Sequence, residues 1–354
     1  MIEIRPITPD ELPAWLGAMA TGFHESFDAV AVAAVAQDLH DPGRTWAGFD
    51  GARVVSTLRT FGTELTVPGG ARVKAAGVSA VTVLPTHRRR GLLTGMIGAE
   101  HAAARDRGES LALLYASEYP IYGRFGYGAA AANATWTIDA RGGPMLEAPP
   151  SGTIEYAVPA EARPHLEAVY EVHRLRQVGE LWRRPVRWEF DLGLRSWPDE
   201  KPWSGRVVLR RDAGGSVDGY LRYTAKDAWP DRQPRYTAEV NELIAVSDDA
   251  YLALWRVLVE PDLVAAPRAE RRRGDLNVTE LHRYIECNHQ VQITGRCRVE
   301  RPDRPAAVDR ARARRRCFVG GPAGWAVGRT GRPRRRRRRG DALHRDRRPG
   351  AGGL

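Results

Sequence analysis

The run Val81-Thr-Val-Leu-Pro-Thr-His-Arg88-Arg89-Arg90-Gly91-Leu92-Leu93 sets three adjacent guanidiniums and a glycine where a strand-like apolar pattern ends and a helical one begins. The N–H groups of a helix's first turn have no partner inside the helix, so they and the helix dipole can hold phosphate oxygens. Gly91 lets the backbone come close to an anion, and the arginines add charge-assisted, fork-shaped donors. The same residues also fit a plain solvated basic helix start. A second string, Tyr122-Gly-Arg-Phe-Gly126-Tyr127, follows the next apolar run, Leu111–Ala116. A phenol of ordinary pKa, about 10, is protonated at neutral pH and can give up that proton, so Tyr122 suits a general acid. It also suits a packing aromatic in a turn, which is the better reading of Tyr127.

Both strings need elements to carry them, and the chain alternates strand and helix patterns up to about residue 266. Ile2–Ile7 reads as a strand, and Asp10–Ala20 as a helix with Trp15 and Met19 on one face. Thr45–Phe49 and Val54–Phe61 read as strands separated by the turn pair Asp50-Gly51. Lys74–Val83, the helix Gly91–Arg107, Leu111–Ala116 and the strand Ala132–Ile138 complete a first block, residues 1–141. A Pro/Gly-rich linker spans 142–152. A second block, 153–266, opens with the strand Ile154–Val158 and the helix Ala160–Val172. It continues through Arg206–Arg210, Asp218–Thr224, Ala238–Val246 and the helix Ala250–Val259. The shared order of strand, helix and then meander makes the second block a degenerate repeat of the first.

Composition divides the chain once more. Its 354 residues carry a formal net charge of +11, but that charge is local. From Arg268 onward there are 25 Arg, no Lys and 9 acidic residues, whereas the preceding segment has 29 basic and 34 acidic residues. All three cysteines, Cys287, Cys297 and Cys317, fall in this last region, at spacings that fit neither a metal site nor a catalytic nucleophile. Runs such as Arg334–Arg339 alternate there with Gly and Pro, and only Leu281–Ile285 has the apolar density of a core element. The expectation for 267–354 is an Arg-rich, poorly ordered tail. No run of about eighteen apolar residues and no secretory leader pattern is present, so no membrane association and a cytoplasmic location are expected.

Taken together, the arginine loop and the tyrosine string resemble the GNAT acetyltransferases. Their pyrophosphate loop reads Arg/Gln-x-x-Gly-x-Gly/Ala and is followed by a Tyr-x-x-x-Gly-Phe element. Arg88, Gly91, Tyr122 and Gly126 match that pattern, while Leu93 and Tyr127 depart from it. Ala80–Leu93 together with Ala116–Gly128 is similar to the Eis (enhanced intracellular survival) family of actinobacterial acetyltransferases. Leu181-Trp-Arg-Arg-Pro185, Asp218–Tyr223, Asn241-Glu-Leu243 and Ala253-Leu-Trp-Arg256 resemble that family's second, catalytically silent GNAT-like domain. The resemblance implies an α/β fold of tandem GNAT-like domains, each a mixed sheet flanked by helices. It implies acetyl-CoA as co-substrate and no metal. The backbones of Val81 and Val83 would hold the pantetheine arm, and Arg88, Arg89, Arg90, Gly91 and Leu92 would hold the pyrophosphate. Tyr122 would protonate the departing thiolate. Phe23, Glu25 and Asp28 would contact the amine.

The family continues into a sterol-carrier-protein-like third domain and ends in a carboxylate that reaches the first domain. Neither is legible here. A frameshift in a GC-rich gene explains the Arg-rich, Lys-free composition better than a selected basic extension, which would bind nucleic acid or anionic surfaces. The family's hexamer is in doubt for the same reason, though a homo-oligomer remains open. The function expected is acetyl transfer from acetyl-CoA to a primary amine of a small molecule, an aminoglycoside or polyamine, with a protein lysine as the alternative within that class. Two other classes stay open: a nucleic-acid binder acting through the tail, and a coenzyme A sensor without turnover.

Overall fold

In the computed structural model, residues 2–130, 133–138, 151–226, 236–259, 268–273, 291–294 and 325–329 are described. The first part of the chain runs β1 (Glu3–Pro6), α1 (Leu12–Phe23), α2 (Ala29–Ala36), β2 (Thr45–Asp50), β3 (Arg53–Thr66), β4 (Arg72–Val83), α3 (Leu92–Asp106), β5 (Leu111–Tyr115) and β6 (Tyr127–Ala129). The strands pair in order from β1 to β5, antiparallel except for the parallel pair β4–β5. Crossover through α3 makes that pair parallel, because a parallel neighbour cannot be reached by a tight turn. α1 and α2 cover one face, with Trp15, Leu16 and Val32 packed among Ala47, Phe49 and Val54. α3 covers the other, where Met96, Ile97 and Ala104 pack among Leu58, Val78 and Leu114.

The second part repeats this plan with β8 (Thr153–Ala157), α4 (Pro159–Arg176), α5 (Pro185–Asp191), β9 (Arg206–Arg211), β10 (Val217–Lys226), β11 (Thr237–Ala245), α6 (Asp248–Val259) and β12 (Arg268–Arg273), once β7 (Asn133–Ile138) has been passed. The order β8-β9-β10-β11-β12 mirrors β1 to β5, including a parallel pair, β11–β12, at the matching place. Two further strands, β13 (Val291–Thr294) and β14 (Trp325–Arg329), complete the sheets.

Two expectations are corrected here. Alternation places Ala132–Ile138 at the close of the first block, but β7 pairs with β12 and β13 in the second sheet. The expectation of a tail without strands also differs from the structure: β12, β13 and β14 all lie beyond residue 267, and β14 sits in the first sheet between β5 and β6. For β7 the alternation of Ala134, Trp136 and Ile138 marks a strand but not the sheet it joins. β12 and β14, each set between two neighbouring strands, are held by backbone hydrogen bonds, which any non-proline sequence can supply, so they need no apolar period of their own. The greater part of the linker, the runs Arg314–Arg316 and Arg334–Arg339, Leu281–Ile285 and the three cysteines lie outside the described residues. No helix among the described residues is long and apolar enough to cross a membrane.

The two parts are joined through the end of β3. Thr66 N–H donates to Glu180 O at 3.0 Å, and Gly179 N–H donates to Thr66 O at 2.7 Å. Thr66 Oγ1 also donates to Arg174 O at 2.7 Å. The second core carries its own buried polar node. Glu242 is bound by Arg183 and by the Tyr220 hydroxyl. Burial alone would raise its carboxyl, but the two guanidiniums Arg183 and Arg222 and the Tyr220 phenol outweigh burial and carry it down to about 2.

Candidate active site

The parallel ladder between β4 and β5 runs only from Ala75–Leu111 to Val78–Leu114. Beyond Val78 the strand β4 continues to Val83 paired with β3 alone. The two strands therefore open into a wedge with one unpaired β4 edge. A cleft of about 780 Å³ fills it, walled by both strands and closed at its ends by the start of α3 and the end of α1. An unpaired strand edge offers N–H and C=O groups in sequence to the amides of an extended ligand.

A bulge shapes the middle of this edge. Thr57 pairs with Thr82 but Arg59 pairs with Ser79, so β4 carries one extra residue. Ala80 takes it up in a left-handed conformation, φ +52°, which costs a non-glycine residue about 1–2 kcal/mol. Thr57 clamps it: its hydroxyl donates to Ala80 O at 2.8 Å and lies 2.8 Å from Thr82 Oγ1. Since the single proton of Thr57 goes to the carbonyl, Thr82 is the donor in the second bond. Gly22 of α1 packs straight onto Thr82, where an added Cβ would come within 2.5 Å of the Thr82 Cβ.

The arginine loop leaves β4 through a short turn, Pro85–His87. His87 is buried and anchors the turn, with Nε2 3.1 Å from Asp50 Oδ2 and Nδ1 2.7 Å from Thr86 Oγ1. Arg89 and Gly91 both adopt positive φ, +65° and +78°. Gly91 is the N-cap of α3, and no side chain caps the helix there. The first-turn N–H groups thus remain for an anion, beside Arg88 and Arg89.

On the opposite wall Tyr122 lies in the irregular connection between β5 and β6, buried and edge-on to Tyr127 at 5.8 Å. Burial raises its phenol above the ordinary value, and the Glu118 carboxylate adds to the rise. The proton is held more firmly than on a free phenol. Tyr127 is a core residue, its hydroxyl 3.1 Å from His101 Nε2.

Of the residues singled out in the sequence, Val81, Val83, Arg88, Arg89, Gly91, Leu92, Tyr122 and Phe23 line this one cleft. Three do not. Arg90 is exposed and its guanidinium turns back to Thr86 O at 3.3 Å. Asp28 caps α2, its Oδ1 accepting from Val30 and Ala31 N–H. Glu25 is exposed beyond the end of α1. Sequence reasoning missed Thr57, Phe61, Ser79, Ala80 and Glu118. Of these, all but Thr57 line the cleft, and the bulge and the splayed strands gather them from separate elements. Among the described residues no group of three or more His, Cys, Asp or Glu stands close enough to hold a metal ion.

Comparison with known proteins agrees with this geometry. Two family descriptions, each reading "Acetyltransferase (GNAT) domain", match residues 3–130 and 179–294. An uncharacterised N-acetyltransferase of Streptomyces griseus is 39% identical over 287 residues, covering 77% of this chain and 68% of that protein. The N-acetyltransferase Eis of Mycobacterium tuberculosis is 37% identical over 218 residues, 60% of this chain and 51% of that one. The chain therefore spans about half the length of the mycobacterial protein. The crystal structure of Eis1 from Mycobacterium abscessus superposes with a TM-score of 0.69 at 30% identity, over 83% of this chain and 71% of that one. With the wedge, the bulge and the helix-capped anion loop in place, the chain belongs to the GNAT acetyltransferases and is a relative of the Eis family.

Proposed function

We propose that the chain transfers the acetyl group of acetyl-CoA to a primary amine of a small molecule, with Tyr122 as general acid. The observation that carries this is the cleft itself, which joins an unpaired strand edge, an anion-holding helix start and a buried, protonated phenol. The residues present fit acetyl-CoA: the β4 edge from Val81 to Val83 suits the pantetheine amides, and Arg88, Arg89 and the N–H groups after Gly91 suit the pyrophosphate. Acetyl-CoA supplies a thioester carbonyl, which an amine attacks only when neutral. The backbone at Ala80 and Val81, turned by the bulge, would polarise that carbonyl. As the new C–N bond forms and the C–S bond breaks, Tyr122 Oη gives its proton to the sulfur, and the amine's proton leaves to solvent. The acceptor enters from the side of Phe23 and Phe61.

The acceptor class is tested with the enzyme as it stands. Coenzyme A release is followed with acetyl-CoA and a panel of aminoglycosides, polyamines, amino acids, arylalkylamines and lysine peptides. Turnover dependent on at least one amine is expected. Binding of acetyl-CoA by calorimetry with no turnover on any amine would overturn the reading in favour of a coenzyme A sensor.

A further inference from the structure

The walls of the cleft hold few groups that can take up a proton. Arg88, Arg89 and Arg124 line it, and a guanidinium can only donate. His87 lines it as well, but both of its ring nitrogens are engaged, Nε2 with Asp50 Oδ2 at 3.1 Å and Nδ1 with Thr86 Oγ1 at 2.7 Å. Tyr115 and Tyr122 are phenols, which act as donors at neutral pH. That leaves Glu118, the one carboxylate among the described residues that line the cleft.

Glu118 stands on the same connection as Tyr122, four residues ahead of it. A single 3-10 turn, Tyr119–Ile121, separates the two. Pro120 stiffens that turn through its fixed φ, and Ile121 packs against the core cluster that contains Tyr122. The Glu118 side chain is exposed, with no ion pair among the described residues to hold it. Burial first, and then the negative charge of Glu118, raise the Tyr122 phenol, so the two groups are close enough to feel each other. A donor that keeps its proton and a carboxylate free to gain one therefore stand side by side on one wall.

Acetyl transfer needs both roles. When the lone pair of the amine attacks the thioester carbon, the C–N bond forms and the nitrogen becomes positive, so a proton must leave it before an amide results. We propose that Glu118 is the general base of the transfer, its carboxylate taking that proton from the acceptor nitrogen and passing it to solvent. This rests on the acetyl-transfer reading and deepens it. The C–S bond then breaks with its electron pair on sulfur, and Tyr122 Oη protonates the thiolate. Glu118, open to water, loses the amine's proton there, and the Tyr122 phenolate regains one from water. The sum is an amide and the free thiol of coenzyme A, with both side chains restored. The order of the steps also matters. Once Glu118 is neutral, the field that holds the Tyr122 proton is gone, so the first proton transfer eases the second.

The test separates a base from a group that merely attracts amines. Glu118→Gln keeps the shape of the side chain and removes its charge. With each amine of the panel that the wild type acetylates, kcat should fall at least about tenfold, a loss on the scale general bases supply, while the KM for acetyl-CoA and the melting temperature stay unchanged. Sodium formate should restore part of the kcat of Glu118→Ala in proportion to its concentration, and none of the kcat of Tyr122→Phe. A raised amine KM with kcat unchanged, or a loss of kcat that formate does not restore, would overturn the base. A second readout needs no turnover. In protein labelled with 3-fluorotyrosine, whose phenol ionises at lower pH, the fluorine signal of residue 122 should titrate lower in Glu118→Gln than in the unsubstituted chain. An unmoved titration would take the carboxylate away from the phenol and overturn the base while leaving acetyl transfer standing. Absence of turnover on every amine by the wild type would overturn acetyl transfer, and the base with it, whatever the fluorine signal does.

Discussion

Tyr122 has two requirements to meet as a general acid: it must carry its proton at working pH and release it to a developing thiolate. Burial and the Glu118 carboxylate both disfavour the phenolate, so the fraction protonated is higher than for a free tyrosine at every pH. Tyr122→Phe keeps the ring that packs against Tyr127 and removes only the hydroxyl. We expect kcat to fall at least tenfold, and at most by the roughly 10²–10⁴ that general acids supply, with the KM for acetyl-CoA nearly unchanged. The pH profile carries the sign of the shift. Because the phenol is raised, any alkaline fall in kcat from its ionisation should begin above the ordinary value of about 10 and be absent in the variant. A variant of full kcat would remove Tyr122 from the chemistry. At this scale the sequence was informative where reacting groups are contiguous, as in Arg88–Gly91 and Tyr122–Gly126. Thr57, Ser79 and Phe61 were not visible, because only the register between β3 and β4 and the extra residue at Ala80 bring them to one place.

Among the elements, the start of α3 is where the proposed ligand binding depends most on local backbone chemistry. Gly91 holds φ +78° as N-cap, and a Cβ added there would meet nothing within 4 Å. Gly91→Ala thus costs backbone conformation alone, about 1–2 kcal/mol, with no clash to relieve. The loop should relax away from the left-handed turn, so we expect the KM for acetyl-CoA to rise several-fold while kcat changes little. Steady-state kinetics with acetyl-CoA varied would show it, and an unchanged KM would mean the turn does not position the phosphates. Most elements were legible, since the turn pair Asp50-Gly51 marks off β2 from β3 and the 3.6-residue period marks α1 and α3. α2 was not: Ala29–Ala36 reads AVAVAAVA, apolar on every side, so it has no period for a helix to show. α5, seven residues long, is too short for one. β7 was recognised as a strand, but period two says nothing about which sheet a strand joins.

At the scale of the whole molecule the two sheets exchange strands. β6 and β7 follow one another in the chain, yet β6 lies in the first sheet and β7 in the second, beside β12. The slot left beside β5 is filled by β14, which pairs Trp325–Arg329 with Leu111–Tyr115 and also with β6. Tyr122, the proposed general acid, lies on the connection between those same two strands, so β14 pairs at both ends of that segment. The region whose composition suggested no ordered role thereby adjoins the candidate site. A chain ending at residue 320 would leave the edges of β5 and β6 without partners and free the Tyr122 connection. We expect its melting temperature to fall by several degrees, given about 2–4 °C per kcal/mol for a unit of this size, and kcat to fall at least tenfold. The β4 edge and the arginine loop are untouched by this cut, so affinity for acetyl-CoA should change much less than kcat. A chain ending at residue 330 keeps β14 and removes the run Arg334–Arg339, which separates the strand from the charge. It should behave like the full chain by both measures. If both truncations behave alike, whether both active or both impaired, β14 does not brace that segment and Tyr122 is held by the first sheet's own packing.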